Sequence, residues 1–169
     1  MFSLTKDEAA QIWPELERLW LEQVKLRVRG TPDGDRAGRA PPAWRPGERP
    51  TVLVVDDDDD IRDYATAILQ GSGCQVVAAS SPSEALHKLG EAPTIDLMFT
   101  DIVLPEIDGF KLAELAKRRH PALRVLYTSG YPDRLLGQPV ERYGGLLVKP
   151  YRSAQLEQAV REATAHRPS

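Results

Sequence analysis

Thr51-Val52-Leu53-Val54-Val55-Asp56-Asp57-Asp58-Asp59-Asp60 changes within one residue from five apolar or β-branched side chains to five carboxylates. A strand with one wet face would alternate apolar and polar residues. This one does not, which predicts a short strand buried on both faces, as in a parallel sheet. The carboxylates then stand at its carboxyl end and open the next element.

Working outward, four more short runs rich in branched residues predict strands at 75–79, 95–100, 124–128 and 146–148. Helix-period segments lie between them near 60–70, 82–90, 109–119 and 153–164. The second helix has a strong start signal in Ser81-Pro82-Ser83-Glu84: an N-cap serine, proline at the first helical position and a glutamate spaced to close a capping box. Gly109 opens the third helix and His120-Pro121 ends it. Strand and helix alternate, so the expected fold is α/β: a doubly wound, five-stranded parallel sheet, order 2-1-3-4-5, flavodoxin-like, with helices on both faces. Residues 131–144 carry Pro132, Gly137, Pro139 and Gly144, so the fourth crossover is expected to be short or irregular, with helix at most over 133–136.

The flanks differ in texture. Residues 1–29 predict an amphipathic helix with Ile12, Trp13, Leu16, Leu19, Trp20 and Val24 on one face, started or kinked at Pro14. That face needs a cover. Self-association into a homodimer ranks first, packing on the chain's own α/β domain second, and another protein third. Residues 30–50 are rich in Pro and Gly and read as a linker, 51–165 as the α/β domain, and 166–169 as a tail.

Composition bounds the function. The 169 residues, 41% hydrophobic and 28% charged, suit a water-soluble protein with one domain and an appendage. A net charge of -3 with intermixed signs supplies no basic field for nucleic acid. No apolar run approaches a membrane span, and no secretory leader is visible, so a cytoplasmic protein is expected. Cys74 is the lone cysteine and permits no internal disulfide. His87, His120 and His166 read as surface residues, and Asp96 as a turn residue before strand three.

In a doubly wound sheet, ligands bind beyond the carboxyl ends of the strands. Strand one ends in Asp56-Asp57, strand three in Asp101, strand four in Thr128-Ser129 and strand five in Lys149-Pro150. Three carboxylates gathered at one rim repel each other, and a divalent cation relieves that repulsion. Hard oxygen donors suit Mg²⁺. A carboxylate meeting a phosphoryl group is anion meeting anion, so the cation and Lys149 would have to neutralise the incoming oxygens. The Thr128 hydroxyl could reach a new phosphoryl oxygen, which would make a switch. Asp58, Asp59 and Asp60 read as helix N-capping and dipole complement, and Asp108-Gly109 as turn and cap.

Val52 to Asp57, Phe99-Thr100-Asp101-Ile102-Val103-Leu104-Pro105-Glu106-Ile107-Asp108-Gly109-Phe110, Thr128-Ser129-Gly130 and Lys149-Pro150 together resemble the response-regulator receiver family of two-component signalling, chemotaxis-Y-like, over residues 52–164. The resemblance implies Asp101 as phosphoacceptor. It implies Mg²⁺ held directly by Asp57, Asp101 and the Val103 carbonyl, with Asp56 acting mainly through a metal-bound water. It implies that Thr128, Lys149 and the Ser129 amide contact the phosphoryl group, and that the Lys149–Pro150 peptide is cis. Leu146 stands where the family often has an aromatic residue coupled to the threonine, so residues 129–145 are expected to report phosphorylation instead. The implied donor is a histidine kinase or histidine phosphotransfer protein, docking near Ile61, Arg62, Ala65 and Tyr151.

The expectation is a single-domain regulator, not an enzyme, with no DNA-binding output domain, since the chain ends shortly after the last helix. A relay or phosphate sink derived from a hybrid kinase is the nearest alternative. Two other classes compete: a haloacid-dehalogenase-type phosphohydrolase, for which Asp56-Asp57-Asp58 supplies the letters Asp-x-Asp, and a phosphorylation-independent adaptor acting through the N-terminal helix.

Overall fold

Each strand of the sheet is only five or six residues long, and the register brings four strand ends to one rim. The computed structural model describes residues 48–92, 94–130 and 144–165. The elements are β1 (Thr51–Val55), α1 (Asp59–Gly71), β2 (Gln75–Ala79), α2 (Pro82–Glu91), β3 (Leu97–Asp101), α3 (Gly109–Arg119), β4 (Arg124–Ser129), β5 (Gly144–Val148) and α4 (Ser153–Ala165). All strand pairs are parallel, in the order β2-β1-β3-β4-β5. Val55 lies beside Thr100, and Asp101 beside Thr128. The expectations for residues 1–29, most of the 30–50 linker, the fourth crossover and the tail lie outside the described residues.

The continuous apolar runs find cover on both faces. Leu53, Val55, Met98, Val125 and Tyr127 pack with Ala85 and Leu89 of α2 and Leu112, Ala113 and Ala116 of α3. The alternate positions Val52, Val54, Leu97, Phe99 and Leu126 are equally buried and must face the other way. There α1 and α4 contribute Ile61, Tyr64, Ala65, Leu69, Leu156 and Val160, all buried. Tyr151 stacks on Tyr64 with ring centroids 6.1 Å apart and meets Phe99 edge-on at 5.9 Å.

The helix starts are built as their residues dictate. Asp58 caps α1, accepting from the Asp60 and Ile61 amides at 3.0 and 3.2 Å, and Asp108 caps α3, accepting from Lys111 N at 2.8 Å. Ser81 caps α2 and accepts from Glu84 N at 3.2 Å. The Glu84 carboxylate reaches one residue further back than a capping box requires, to the amide and hydroxyl of Ser80, both at 2.7 Å. Gly73 leaves α1 at φ 97°, a left-handed conformation that glycine adopts without a Cβ clash.

Strand three runs over Leu97–Asp101 rather than 95–100. Asp96 explains the shift. Its carboxylate accepts from Thr51 N at 2.8 Å, and its own amide donates to Thr51 O at 2.9 Å, so the chain turns there before the ladder begins.

Candidate functional site

The β1 and β3 ends are adjacent, which brings the β1 carboxylates to Asp101. Candidate ligand oxygens of Asp56, Asp57 and Asp101 all lie within 4.8 Å of one another. Asp56 and Asp101 are buried and Asp57 is exposed. Lys149 follows β5, and its ammonium lies 2.7 Å from Asp101 Oδ2 and 3.4 Å from Asp56 Oδ2. The Lys149 side chain is only 5% exposed. The Lys149 amide is fixed by Ser129 O at 2.8 Å, and the Lys149–Pro150 peptide is cis. Val103 N donates to Asp101 Oδ1 at 3.1 Å while the Val103 side chain stays exposed at the rim.

Thr128, beside Asp101 in the sheet register, carries a buried hydroxyl that meets no hydrogen-bond partner among the described residues. An unpartnered buried hydroxyl costs roughly 1–3 kcal/mol. Such a group needs an explanation, and a ligand oxygen arriving beside Asp101 supplies one.

The charges influence one another strongly. Burial pushes the Asp56 carboxyl up to about 6; Lys149 pulls it back down, while Asp101 and Asp57 push it further up. Burial alone would pull Lys149 down, but the Asp56 and Asp101 carboxylates outweigh it and raise the ammonium above its ordinary value. Burial also raises the Tyr151 phenol, with the Asp56 charge adding to it.

Asp56 should therefore give the metal-free protein an inverted pH response. Its folded-state value lies above that of the unfolded chain, so the folded state binds the extra proton, and stability falls as pH rises through about 6. Glu84 does not interfere: its bonds to Lys88 and Ser80 hold it down at about 2, so its contribution is lost only below the usual carboxylate range. In EDTA, urea unfolding at pH 5 should give a free energy about 1 kcal/mol above that at pH 7, and Asp56→Asn should remove the difference.

The donor set fits a hard divalent cation: three carboxylates that repel when bare, with one ammonium already neutralising part of their charge. Asp58 is not part of it: it caps α1 through Oδ1 and lies outside the carboxylate cluster.

Two sequence expectations need refinement. Ile61, Ala65 and Tyr151, near which a donor was expected to dock, are themselves buried in the α1 and α4 face of the core, so a contact there would fall to their exposed neighbours. Asp108-Gly109 does more than turn and cap: a Cβ at Gly109 would lie 2.4 Å from the Asp101 carbonyl oxygen, so α3 presses its backbone against the residue at the centre of the site. The Asp-Gly pair was the visible signal. Arg62, whose guanidinium grips the Asp56 carbonyl at 2.9 Å, had none. A groove of about 690 Å³ lies at the opposite, amino-terminal end of the sheet beside Asp96, His120 and Arg124, remote from this chemistry.

The family model described as response regulator receiver domain matches residues 52–161. The chain belongs to this family. It is thus a receiver domain of the phosphorylation-accepting kind found in two-component systems. It is 34% identical over 115 residues to the sensor kinase CckA of Brucella abortus, covering 66% of this chain and 12% of that protein. It is 31% identical over 102 residues to the response regulator receiver protein CpdR of the same organism, covering 59% and 84%. A solved response regulator receiver protein from Sinorhizobium medicae matches with TM-score 0.64 and 29% identity, covering 73% of this chain and all of that one. The match to CckA thus spans a small part of that kinase's length. Receiver membership displaces the dehalogenase-type reading of Asp56-Asp57-Asp58. Among the described residues no helix is long and apolar enough to cross a membrane.

Proposed function

We propose that this receiver takes a phosphoryl group on Asp101 from a phosphohistidine of a histidine kinase or histidine phosphotransfer protein. The observation that carries the reading is the Lys149 ammonium 2.7 Å from the Asp101 carboxylate, at a rim shared with Asp56 and Asp57. In the step, an Asp101 oxygen forms a bond to phosphorus as the P–N bond breaks. The bond's electron pair returns to the imidazole nitrogen of the donor. Asp56, Asp57, Asp101 and the Val103 carbonyl would hold Mg²⁺, which would offset charge on the incoming phosphoryl oxygens. Lys149 stands ready to pair with the same oxygens, and the unpartnered Thr128 hydroxyl would donate to one of them.

The product is a changed protein surface rather than a released substrate. The chain acts as a switch of protein–protein contacts in the cytoplasm, and we assign it no enzymatic turnover of its own and no nucleic-acid contact.

The test is intact-mass spectrometry after incubation with acetyl phosphate. Wild type should gain one phosphoryl group in Mg²⁺ and none in EDTA. Asp101→Asn should gain none in either. Undiminished labelling of Asp101→Asn would remove the proposal.

A further inference from the structure

Asp57 is the member of the carboxylate trio that nothing holds directly: among the described residues no amide or side chain hydrogen-bonds its carboxylate. Its aim is therefore set by the backbone, above all by the peptide that joins it to Asp56. The surroundings of that peptide are specific. Asp56 N donates to Ala79 O at 3.2 Å, and Asp56 Oδ1 accepts from Asp58 N at 2.9 Å. The Asp56 carbonyl, which belongs to the peptide itself, accepts from Arg62 Nη1 at 2.9 Å. The other arm of the same guanidinium pairs with Asp59, and the side chain is only 16% exposed.

We infer that Arg62 is a positioning residue for the cation site: by bridging the Asp56 carbonyl and Asp59 it fixes the Asp56–Asp57 peptide so that Asp57 faces Asp56 and Asp101. This rests on the reading of the trio as a Mg²⁺ site. Helix stability accounts for only part of the residue's role: the i,i+3 pair with Asp59 adds a small amount, a cation near the start of α1 opposes the helix dipole, and neither explains the bond to the Asp56 carbonyl. A docking role does not account for the arm on the Asp56 carbonyl, which is turned inward, whereas the arm on Asp59 lies at the surface.

Charge and position predict opposite signs, which makes the idea testable. A cation near a cation site repels Mg²⁺, so if charge were its only effect, removing it would tighten binding. If Arg62 orients Asp57, removing it loosens binding despite the gain in negative potential. Lysine keeps the charge but lacks the planar fork that spans two acceptors.

The experiment is calorimetric titration of the full chain with MgCl₂ at fixed ionic strength, for wild type, Arg62→Gln and Arg62→Lys, with metal-free thermal unfolding of each. Arg62→Gln should bind Mg²⁺ about tenfold more weakly, equivalent to about 1.4 kcal/mol, and Arg62→Lys nearly as weakly. The metal-free midpoints should stay within a few degrees of wild type. Equal or tighter binding by Arg62→Gln overturns the inference. Should that variant fail to fold, unchanged affinity in Arg62→Lys overturns it instead. A wild-type chain that takes up no Mg²⁺ removes both this inference and the cation-site reading, whereas wild-type binding with unaltered variants removes the inference alone.

Discussion

Lys149→Met is expected to slow phosphorylation of Asp101 by acetyl phosphate by about 10²- to 10³-fold while leaving the protein folded. The rate loss follows from geometry. The ammonium is held 2.7 Å from Asp101 Oδ2 in a site with little water, where a fixed charge facing the phosphoryl oxygens is worth far more than in bulk solvent. The fold survives for a different reason. Removing one partner from a buried ion pair can cost about 3–5 kcal/mol. Here burial already raises the Asp56 carboxyl, and losing Lys149 raises it further, so Asp56 takes up a proton more readily and the loss falls below that range. Rates followed by intact mass, together with urea unfolding, separate the two effects. A variant that folds and is labelled at the wild-type rate would show that Lys149 has no part in the chemistry.

Gly109→Ala should be strongly destabilising although it adds a single methyl group. In a helix, alanine usually stabilises relative to glycine by about 1 kcal/mol. At Gly109 the added Cβ would lie 2.4 Å from Asp101 O and 2.9 Å from Ile102 Cα, both backbone atoms that cannot rotate away. Helix α3 cannot retreat easily, because Leu112, Ala113 and Ala116 anchor it in the core and Gly109 N is bonded to Ile102 O at 2.8 Å. Overpacking of this kind costs about 3 kcal/mol, which outweighs the propensity gain and lowers Tm by roughly 10 °C. Because the displaced atom belongs to Asp101, Mg²⁺-dependent labelling should fall as well. Gly90, inside α2 with open space where its Cβ would stand, is the control. Gly90→Ala should raise stability by about 0.5–1 kcal/mol. Thermal unfolding of the two variants should shift in opposite directions.

What the sequence reveals and what it hides divide along physical lines. The sheet was legible because each strand is a short unbroken apolar run, and such runs between helix-period segments leave few arrangements other than a doubly wound sheet. Helix starts were legible where the cap is local, as at Asp58, Ser81 and Asp108. The start of β3 was shifted because Asp96 bonds to Thr51, 45 residues away, and no local pattern encodes that contact. The gathering of Asp56, Asp57, Asp101 and Lys149 could be anticipated because strand ends in this topology share one rim. The approach of Gly109 to Asp101 was signalled only by the Asp108-Gly109 pair, and the grip of Arg62 on a backbone carbonyl by nothing, since both are contacts to main-chain atoms that side-chain patterning does not encode. The burial of Tyr151 was hidden because its position after a proline reads as a loop, yet its ring packs on Tyr64 and Phe99, far away in the sequence.

The most direct test of the central claim locates the acyl phosphate itself. The protein is incubated with acetyl phosphate and Mg²⁺, reduced with borohydride, which converts an aspartyl phosphate to homoserine, and digested for peptide mass mapping. The site geometry predicts homoserine at position 101 and at no other aspartate. Homoserine at position 56 or 57 with none at 101 would contradict it.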